Sequence, residues 1–384
     1  MTYVVIELDS RELRGKAIVR LDGQISRLGV GRYQVKSQSS NGEYHVHFTD
    51  TGWTCSCPDH IYREVKCKHI WACELSSAIR TKVEAQSVTI QPITTLVCFT
   101  CGSDVIVKDS VRHNRYGDIQ RYLCKSCGRR FSFNLGFEGM KASPQAITSA
   151  MQLYFTGESL RNVQKFLRLQ GVTVSHVAVY KWIRKYVRLM EKYLDQIKPQ
   201  VSDTWRADEM YLKVKGNPKY LYALLDDQTR FWIAKEVAGD KMSREATEYA
   251  SNLFRQGKES TGKKPLTLIT DQLRAYHLAY KREFFTLKGP RTEHVTWQAN
   301  GDNNCRMERF NGEIRDREKV MRGLKKLESP AIPGYQIYHN YVRPHEALNG
   351  RTPADACGLE VQGGNKWLTL IQNASRKLDS KPKA

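Results

Sequence analysis

Three carboxylates stand where they could share metal ions. In residues 205–216, WRADEMYLKVKG, Asp208 falls on the same side of a strand-like alternation as Met210, Leu212 and Val214. A carboxylate on the apolar face of a strand is costly unless it is paired or binds a metal. Residues 266–270 form a short apolar run ending in Asp271, and the ends of strands are where α/β sheets expose functional groups. The stretch 303–323 is dense in charge and compatible with a helix; it carries Glu308 just before Phe310, Asn311 and Gly312. Two strand-borne acids and a third on a later helix suit a site that holds two divalent ions and cuts or joins phosphodiesters. Glu209, on the opposite side with Tyr211 and Lys213, reads as a bland neighbour.

Seven of the ten cysteines sit at short metal-ligand spacings. Cys55-x-Cys57, nine residues and Cys67-x-His69 supply three thiolates and one imidazole, a complete tetrahedral zinc set. His60 reads as a loop histidine. Cys98-x2-Cys101, 22 residues and Cys124-x2-Cys127 are the ligands of a four-cysteine zinc ribbon, with Gly102 and Gly128 easing the tight knuckles. The other three, Cys73, Cys305 and Cys357, are scattered. Clustered cysteines without a signal pattern indicate zinc in a reducing compartment and not a disulfide framework. The expected location is cytoplasmic, associated with the nucleoid.

The 384 residues allow two or three domains, and 40% hydrophobic content excludes a disordered chain. No apolar run approaches a membrane span. A formal charge of +21 points to a polyanion partner, because each phosphate neutralised releases counterions.

The elements that position these residues follow from period and punctuation. Residues 3–8, 33–35 and 44–48 alternate as strands, with Asn41-Gly42 as a hairpin turn. A helix is expected from His69 to about Arg80, then a polar linker over 82–95. Strands at 105–108 and 119–123 join the ribbon knuckles. From Ser143 the period becomes helical, with Ser143-Pro144, Ser159 and Ser175 as three N-caps. Helix, helix, turn and Ser-capped helix read as a helix-turn-helix, whose third helix enters the major groove. Ser175, His176, Tyr180 and Lys181 are its candidate base contacts, with Arg184 and Lys185 nearer the phosphates. After Trp205 come three meandering strands, a helix capped by Ser243, the strand ending at Asp271, a helix from Ala275, a strand near 294–297 and the helix of Glu308. The fold class is thus multidomain α+β and α/β: small zinc-binding β modules, a helix-turn-helix and a mixed-sheet core.

Two family resemblances rest on these residues. Residues 30–85, with Trp53 just before the first cysteine, resemble the SWIM zinc domain. Residues 200–355 resemble the ribonuclease H-like core of DDE transposases and retroviral integrases, in the blocks WRADEMYLKVKG, ITDQLRAY and MERFNGEIRDREKVMRG and in the 36-residue spacing between Asp271 and Glu308. The block HNYVRPHEALNGRTPADA resembles the end of integrase-type insertion-sequence transposases. Ribbon, helix-turn-helix and core together look most like the insertion-sequence-six type, with an added SWIM domain. The expected limits are 1–86 for the SWIM-type domain, 93–136 for the ribbon, 141–198 for the helix-turn-helix, 200–355 for the core and 356–384 for a basic tail that is flexible at its end.

The resemblance implies a DNA transposase that needs Mg²⁺ or Mn²⁺ as well as Zn²⁺. Asp208 would bridge two ions, with Asp271 and Glu308 each completing one; water would free a 3′-OH, which would then attack target DNA. Helical phase leaves Glu308 and Glu313 open, and the Glu-x-Phe-Asn-Gly block selects Glu308. Arg309, Arg315, Arg317, Lys319 and Arg343 are the expected phosphate contacts near the site, His345 a further candidate, and Trp297 a possible base-stacking residue. The partners implied are double-stranded DNA, as element ends and target, and a second copy of the chain, at least a homodimer. A sequence-specific regulator with a silent core and a structure-specific nuclease are the rival functions.

Overall fold

The computed structural model describes residues 10–379, apart from 22, 30, 31, 50, 51, 86, 95, 115, 116, 240–244, 287–290, 297–304, 322, 323 and 325–328. The expected strand at 3–8, the Ser243 cap and Trp297 lie outside the described residues. The chain divides into two compact units, Met1–Ser87 and Val88–Ala384.

In the first unit, helix α1 (Ser10–Arg20) precedes four strands, β1 (Ile25–Gly29), β2 (Arg32–Lys36), β3 (Glu43–Thr49) and β4 (Gly52–Cys55), then α2 (Pro58–Arg63) and α3 (Lys68–Ala85). The strands form one antiparallel sheet in chain order. Tyr33, Val35 and Val46 turn inward against Ile70 and Ala72 of α3. Helix α1 had no counterpart in the sequence reading; its apolar face is too sparse to register.

The second unit opens with β5 (Val88–Ile90) and a three-stranded ribbon of β6 (Ile106–Asn114), β7 (Gly117–Cys124) and β8 (Arg130–Ser132). Helices α4 (Pro144–Thr156), α5 (Leu160–Leu169) and α6 (His176–Leu194) follow. Their caps are side-chain hydroxyls: Ser143, Ser159 and Ser175 accept from the backbone N–H groups of Ala146, Asn162 and Ala178 at 3.2, 3.2 and 3.1 Å. Each satisfies a donor the helix itself leaves unpaired.

Strands β9 (Thr204–Val214), β10 (Asn217–Asp226) and β11 (Trp232–Ala238) then meander antiparallel; helix α7 (Ala246–Thr261), β12 (Thr267–Thr270), α8 (Arg274–Glu283), β13 (Glu293–Thr296) and α9 (Cys305–Met321) complete the core. The sheet order β11-β10-β9-β12-β13, with β12 parallel to both neighbours, is the ribonuclease H-like mixed sheet. Helix α7 lies close on it: a Cβ on Gly257 would stand 2.5 Å from Leu224 Cδ2, so any larger residue there would require Leu224 to shift.

Helix α10 (Ala331–Ile337) runs into a π-helical turn, Tyr338–Val342, before α11 (Pro353–Ala356), β14 (Leu359–Val361) and α12 (Lys366–Asp379). Asn340 in that turn accepts from Trp232 N–H (2.8 Å) and donates to its carbonyl (3.0 Å), closing the irregular end of β11. Two features differ from the sequence reading. The linker over 82–95 contains β5, which pairs parallel with β14 some 270 residues later. The tail is helical as far as Asp379, and Trp367, Leu370, Ile371 and Ala374 form a buried stripe, spaced for one helical face, that its basic residues obscured.

Candidate active site

The carboxylates are brought together by strand register. Parallel pairing sets Ile269 of β12 beside Arg206 of β9. Two residues on along both chains, Asp271 comes alongside Asp208. Their oxygens and one of Glu209 all lie within 4.8 Å of one another. Glu209 is therefore no bland neighbour: Tyr276 of α8 donates its hydroxyl to Glu209 Oε2 at 3.0 Å, and the Glu209 N–H donates to Asp208 Oδ1 at 3.0 Å. Strand alternation could not reveal this, because the holding group comes from a helix 67 residues away. Asp271 also turns the chain into α8, accepting from Leu273 N–H at 2.9 Å. Thr270 before it donates to the Asp271 carbonyl and meets His294 Nε2, both at 2.8 Å.

Burial, and then the charges of Glu209 and Asp271, push the Asp208 carboxyl up to about 7. Three oxygen acids so close repel one another, and a hard divalent cation is the group that relieves such crowding. The donor set fits Mg²⁺ or Mn²⁺.

Helix α9 crosses this group. Met307, Phe310 and Ile314 are buried beneath it, as their spacing predicts. Asn311, 3% exposed, donates from Nδ2 to Asp208 Oδ2 at 3.0 Å. Glu308 lies one turn earlier on the same side. It is exposed and stands outside the cluster of three acids. Glu313 is engaged elsewhere, in ion pairs with Arg343 and His339. Burial works against its charge, but His339 and Arg343 outweigh that and hold its carboxyl down at about 2.

Both cysteine groups have metal-ligand geometry. Cys55, Cys57, Cys67 and His69 are all buried, with ligand atoms within 4.8 Å of one another. His69 Nδ1 faces Cys55 Sγ at 3.9 Å and Cys67 Sγ at 4.0 Å. In the ribbon, Cys98 and Cys127 Sγ are 3.6 Å apart, as are Cys101 and Cys124. Tetrahedral zinc with Zn–S near 2.3 Å requires sulfur separations of about 3.8 Å, so the residues fit the ion. His60 is not among these ligands; its Nδ1 lies 2.9 Å from the Val65 carbonyl oxygen.

Of the expected DNA contacts, Ser175, Lys181 and Arg184 are exposed and His176 and Tyr180 half-buried on the early turns of α6. Arg309 and Arg315 are exposed on α9. Two arginines depart from the expectation. Arg343 pairs with Glu313. Arg317 is 4% exposed and stacks over Tyr154 of α4, 4.2 Å from the ring centre. The sequence had offered both as DNA contacts; tertiary packing engages them within the chain.

Residues 202–345 match the family model described as a DDE domain. The sheet, Asp208 within β9, Asp271 at the end of β12, and α9 all fall within that stretch. Over 117 residues the chain is 30% identical to the transposase for the insertion sequence-like element IS431mec of Staphylococcus aureus, covering 30% of this chain and 48% of that protein. Over 140 residues it is 29% identical to the transposase for insertion sequence element IS257 in transposon Tn4003, also of Staphylococcus aureus, covering 35% and 58%. The chain thus spans about half the length of the curated relatives it matches. Among solved structures, the HTLV-2 integrase catalytic core domain in complex with magnesium aligns with 41% of this chain and 95% of its own at 20% identity and a TM-score of 0.29.

Proposed function

We propose that this chain is the transposase of an insertion sequence, a polynucleotidyl transferase that cleaves DNA at element ends and joins them to target DNA. The observation that carries the reading is the convergence of Asp208 and Asp271 beneath α9, inside the stretch that matches a DDE domain. Asp208, Asp271 and Glu308 are the proposed ligands of Mg²⁺ or Mn²⁺. Bound there, the ions would stabilise charge on the entering and leaving oxygens at phosphorus. Glu308 would turn in from its exposed position on α9 once cation and DNA are present. Asp208 is held in place meanwhile by the Glu209 N–H and by Asn311.

The rest of the chain equips this core to find DNA. The early turns of α6, with Ser175, His176, Tyr180, Lys181 and Arg184, are the proposed groove contacts, and Arg309 and Arg315 the phosphate contacts beside the acids. Zinc at Cys55, Cys57, Cys67 and His69 and at Cys98, Cys101, Cys124 and Cys127 would staple two small modules whose apolar cores are limited. The domain limits 1–86, 93–136, 141–198 and 200–355 are proposed with these roles. Joining two ends requires two sites, so a homodimer or larger assembly belongs to the same proposal, at work in the cytoplasm on the nucleoid.

The test is a strand-transfer assay with element-end DNA, a plasmid target and Mg²⁺ or Mn²⁺, run beside Asp208→Ala. Joined products that vanish in the variant are expected. Cleavage without joining would replace the transposase by a nuclease. Specific binding with no metal-dependent cleavage would leave a DNA-binding regulator.

A further inference from the structure

The amide of Asn311 is satisfied on one side only. Nδ2 donates to Asp208 Oδ2 at 3.0 Å. Oδ1 is buried and has no hydrogen-bond partner among the described residues, although the residue is 3% exposed. A buried acceptor left without a donor costs on the order of 1–3 kcal/mol, and native proteins keep few of them. The amide cannot escape by flipping, because that would turn Oδ1 against the Asp208 carboxylate. The residue also stands on the side of α9 that carries Glu308, one turn away, and apolar packing already belongs to Met307, Phe310 and Ile314. A leucine, with the same branched four-atom outline, would hold the position with no orphaned acceptor on the side chain. What the asparagine adds is a donor fixed on Asp208 and a bare acceptor beside it.

We infer that Asn311 is a positioning residue for the proposed metal site, its Nδ2 fixing the Asp208 carboxylate in its ligating orientation and its Oδ1 accepting a hydrogen bond from a water on the bound cation. This rests on the metal-dependent reading of the carboxylates given above. A cation ordinarily keeps several waters in such a site, and those waters need acceptors. Groups that orient metal ligands in this way change metal affinity by 10–100-fold when removed. Glu308 lies outside the cluster of acids, so the part of the site that Asn311 touches is already formed on β9 before Glu308 arrives.

The experiment is Mn²⁺ binding to the full chain without DNA, followed by the loss of the free-ion electron paramagnetic resonance signal. Wild type, Asp208→Ala, Asn311→Ala, Asn311→Leu and the Asp208→Ala/Asn311→Ala double variant are compared. Asn311→Leu keeps the branched outline of the side chain, and circular dichroism on the same samples would report a folding failure. Both Asn311 variants are expected to weaken Mn²⁺ binding at least tenfold. In cleavage assays they should raise the half-saturating Mn²⁺ concentration by a similar factor while the KM for DNA is unchanged. In the double variant, Asn311→Ala should add less to Asp208→Ala than it costs alone, because its Nδ2 acts through that carboxylate. Wild-type affinity in a folded Asn311→Leu, or full additivity in the double variant, would overturn the inference while the metal reading stands. Wild type that binds no Mn²⁺, or Asp208→Ala that binds it as well as wild type, would overturn both.

Discussion

Arg306 reaches from the first turn of α9 to Asp227, donating to its carbonyl oxygen at 3.1 Å and pairing with its carboxylate. The same carboxylate pairs with Arg206 of β9. Arg206 stands two residues before Asp208 and Arg306 two residues before Glu308. One buried acid at the end of β10 therefore ties the strand of the first carboxylate to the helix of the last. The side chains of Asp227 and Arg206 are 2% and 4% exposed.

Asp227→Asn is expected to destabilise the chain by about 3–5 kcal/mol, because it removes the carboxylate that pairs with a buried guanidinium. Urea unfolding of the second unit would measure this. Arg306→Lys keeps the charge but replaces the planar guanidinium by an ammonium, so it should fall between wild type and Asp227→Asn. A loss below about 1 kcal/mol for Asp227→Asn would show that the two arginines find other partners.

The two glutamates of α9 should separate cleanly. Glu308→Gln, at an exposed position, is expected to abolish cleavage while changing stability by no more than about 0.5 kcal/mol. Glu313→Gln is expected to cost roughly 1.5–3 kcal/mol by weakening the contacts to Arg343 and His339. The pH dependence follows from the same pair. Glu313 is held at about 2 in the folded chain, against an ordinary value of 4.5. Its contribution is fully present above 4.5 and is lost as pH falls from 4.5 through 2. Wild type should therefore lose more stability than Glu313→Gln across that window. Parallel acid-unfolding curves would remove Glu313 from the account.

What was legible in the sequence was what local pattern encodes. Period-two alternation exposed Asp208, a terminal apolar run exposed Asp271, and serine caps marked α4, α5 and α6. Ligand spacing marked both cysteine groups without reference to any fold. What was hidden depends on partners distant along the chain. Glu209 joins the acids through Tyr276 of a later helix. Glu313 is neutralised by residues 26 and 30 positions downstream, and no helical phase announces that. Arg317 looks like a solvated cation until α4 covers it. The stripe in α12 was readable in principle, as Trp367, Leu370, Ile371 and Ala374 obey helical spacing; the lysines and arginine around them drew the reading toward a loose tail.

Purified chain should carry two zinc ions, one in each unit. Elemental analysis checks the count. Cys127→Ser is expected to remove one of the two. Chelation should unfold the ribbon of β6, β7 and β8, whose sheet has few buried apolar residues to hold it once the metal is gone. An undiminished near-ultraviolet signal after complete zinc removal would show that the ribbon stands without the ion.

Gly312 sits inside α9, four residues after Glu308 and one after Asn311. Glycine there costs about 1 kcal/mol relative to alanine, and packing among the described residues does not call for it: a Cβ at this position would meet none of them within 4 Å. The open space lies on the helix beside the acids, where a DNA strand would pass on the proposed function. Gly312→Ala is therefore expected to raise stability by roughly 0.5–1 kcal/mol, measured by urea unfolding. In a cleavage assay the same variant should lose at least tenfold in activity, because the added methyl occupies room the DNA backbone needs. Opposite signs in the two measurements would mark the glycine as a clearance for substrate. A variant both more stable and fully active would show that the helix tolerates a side chain there and that DNA runs elsewhere.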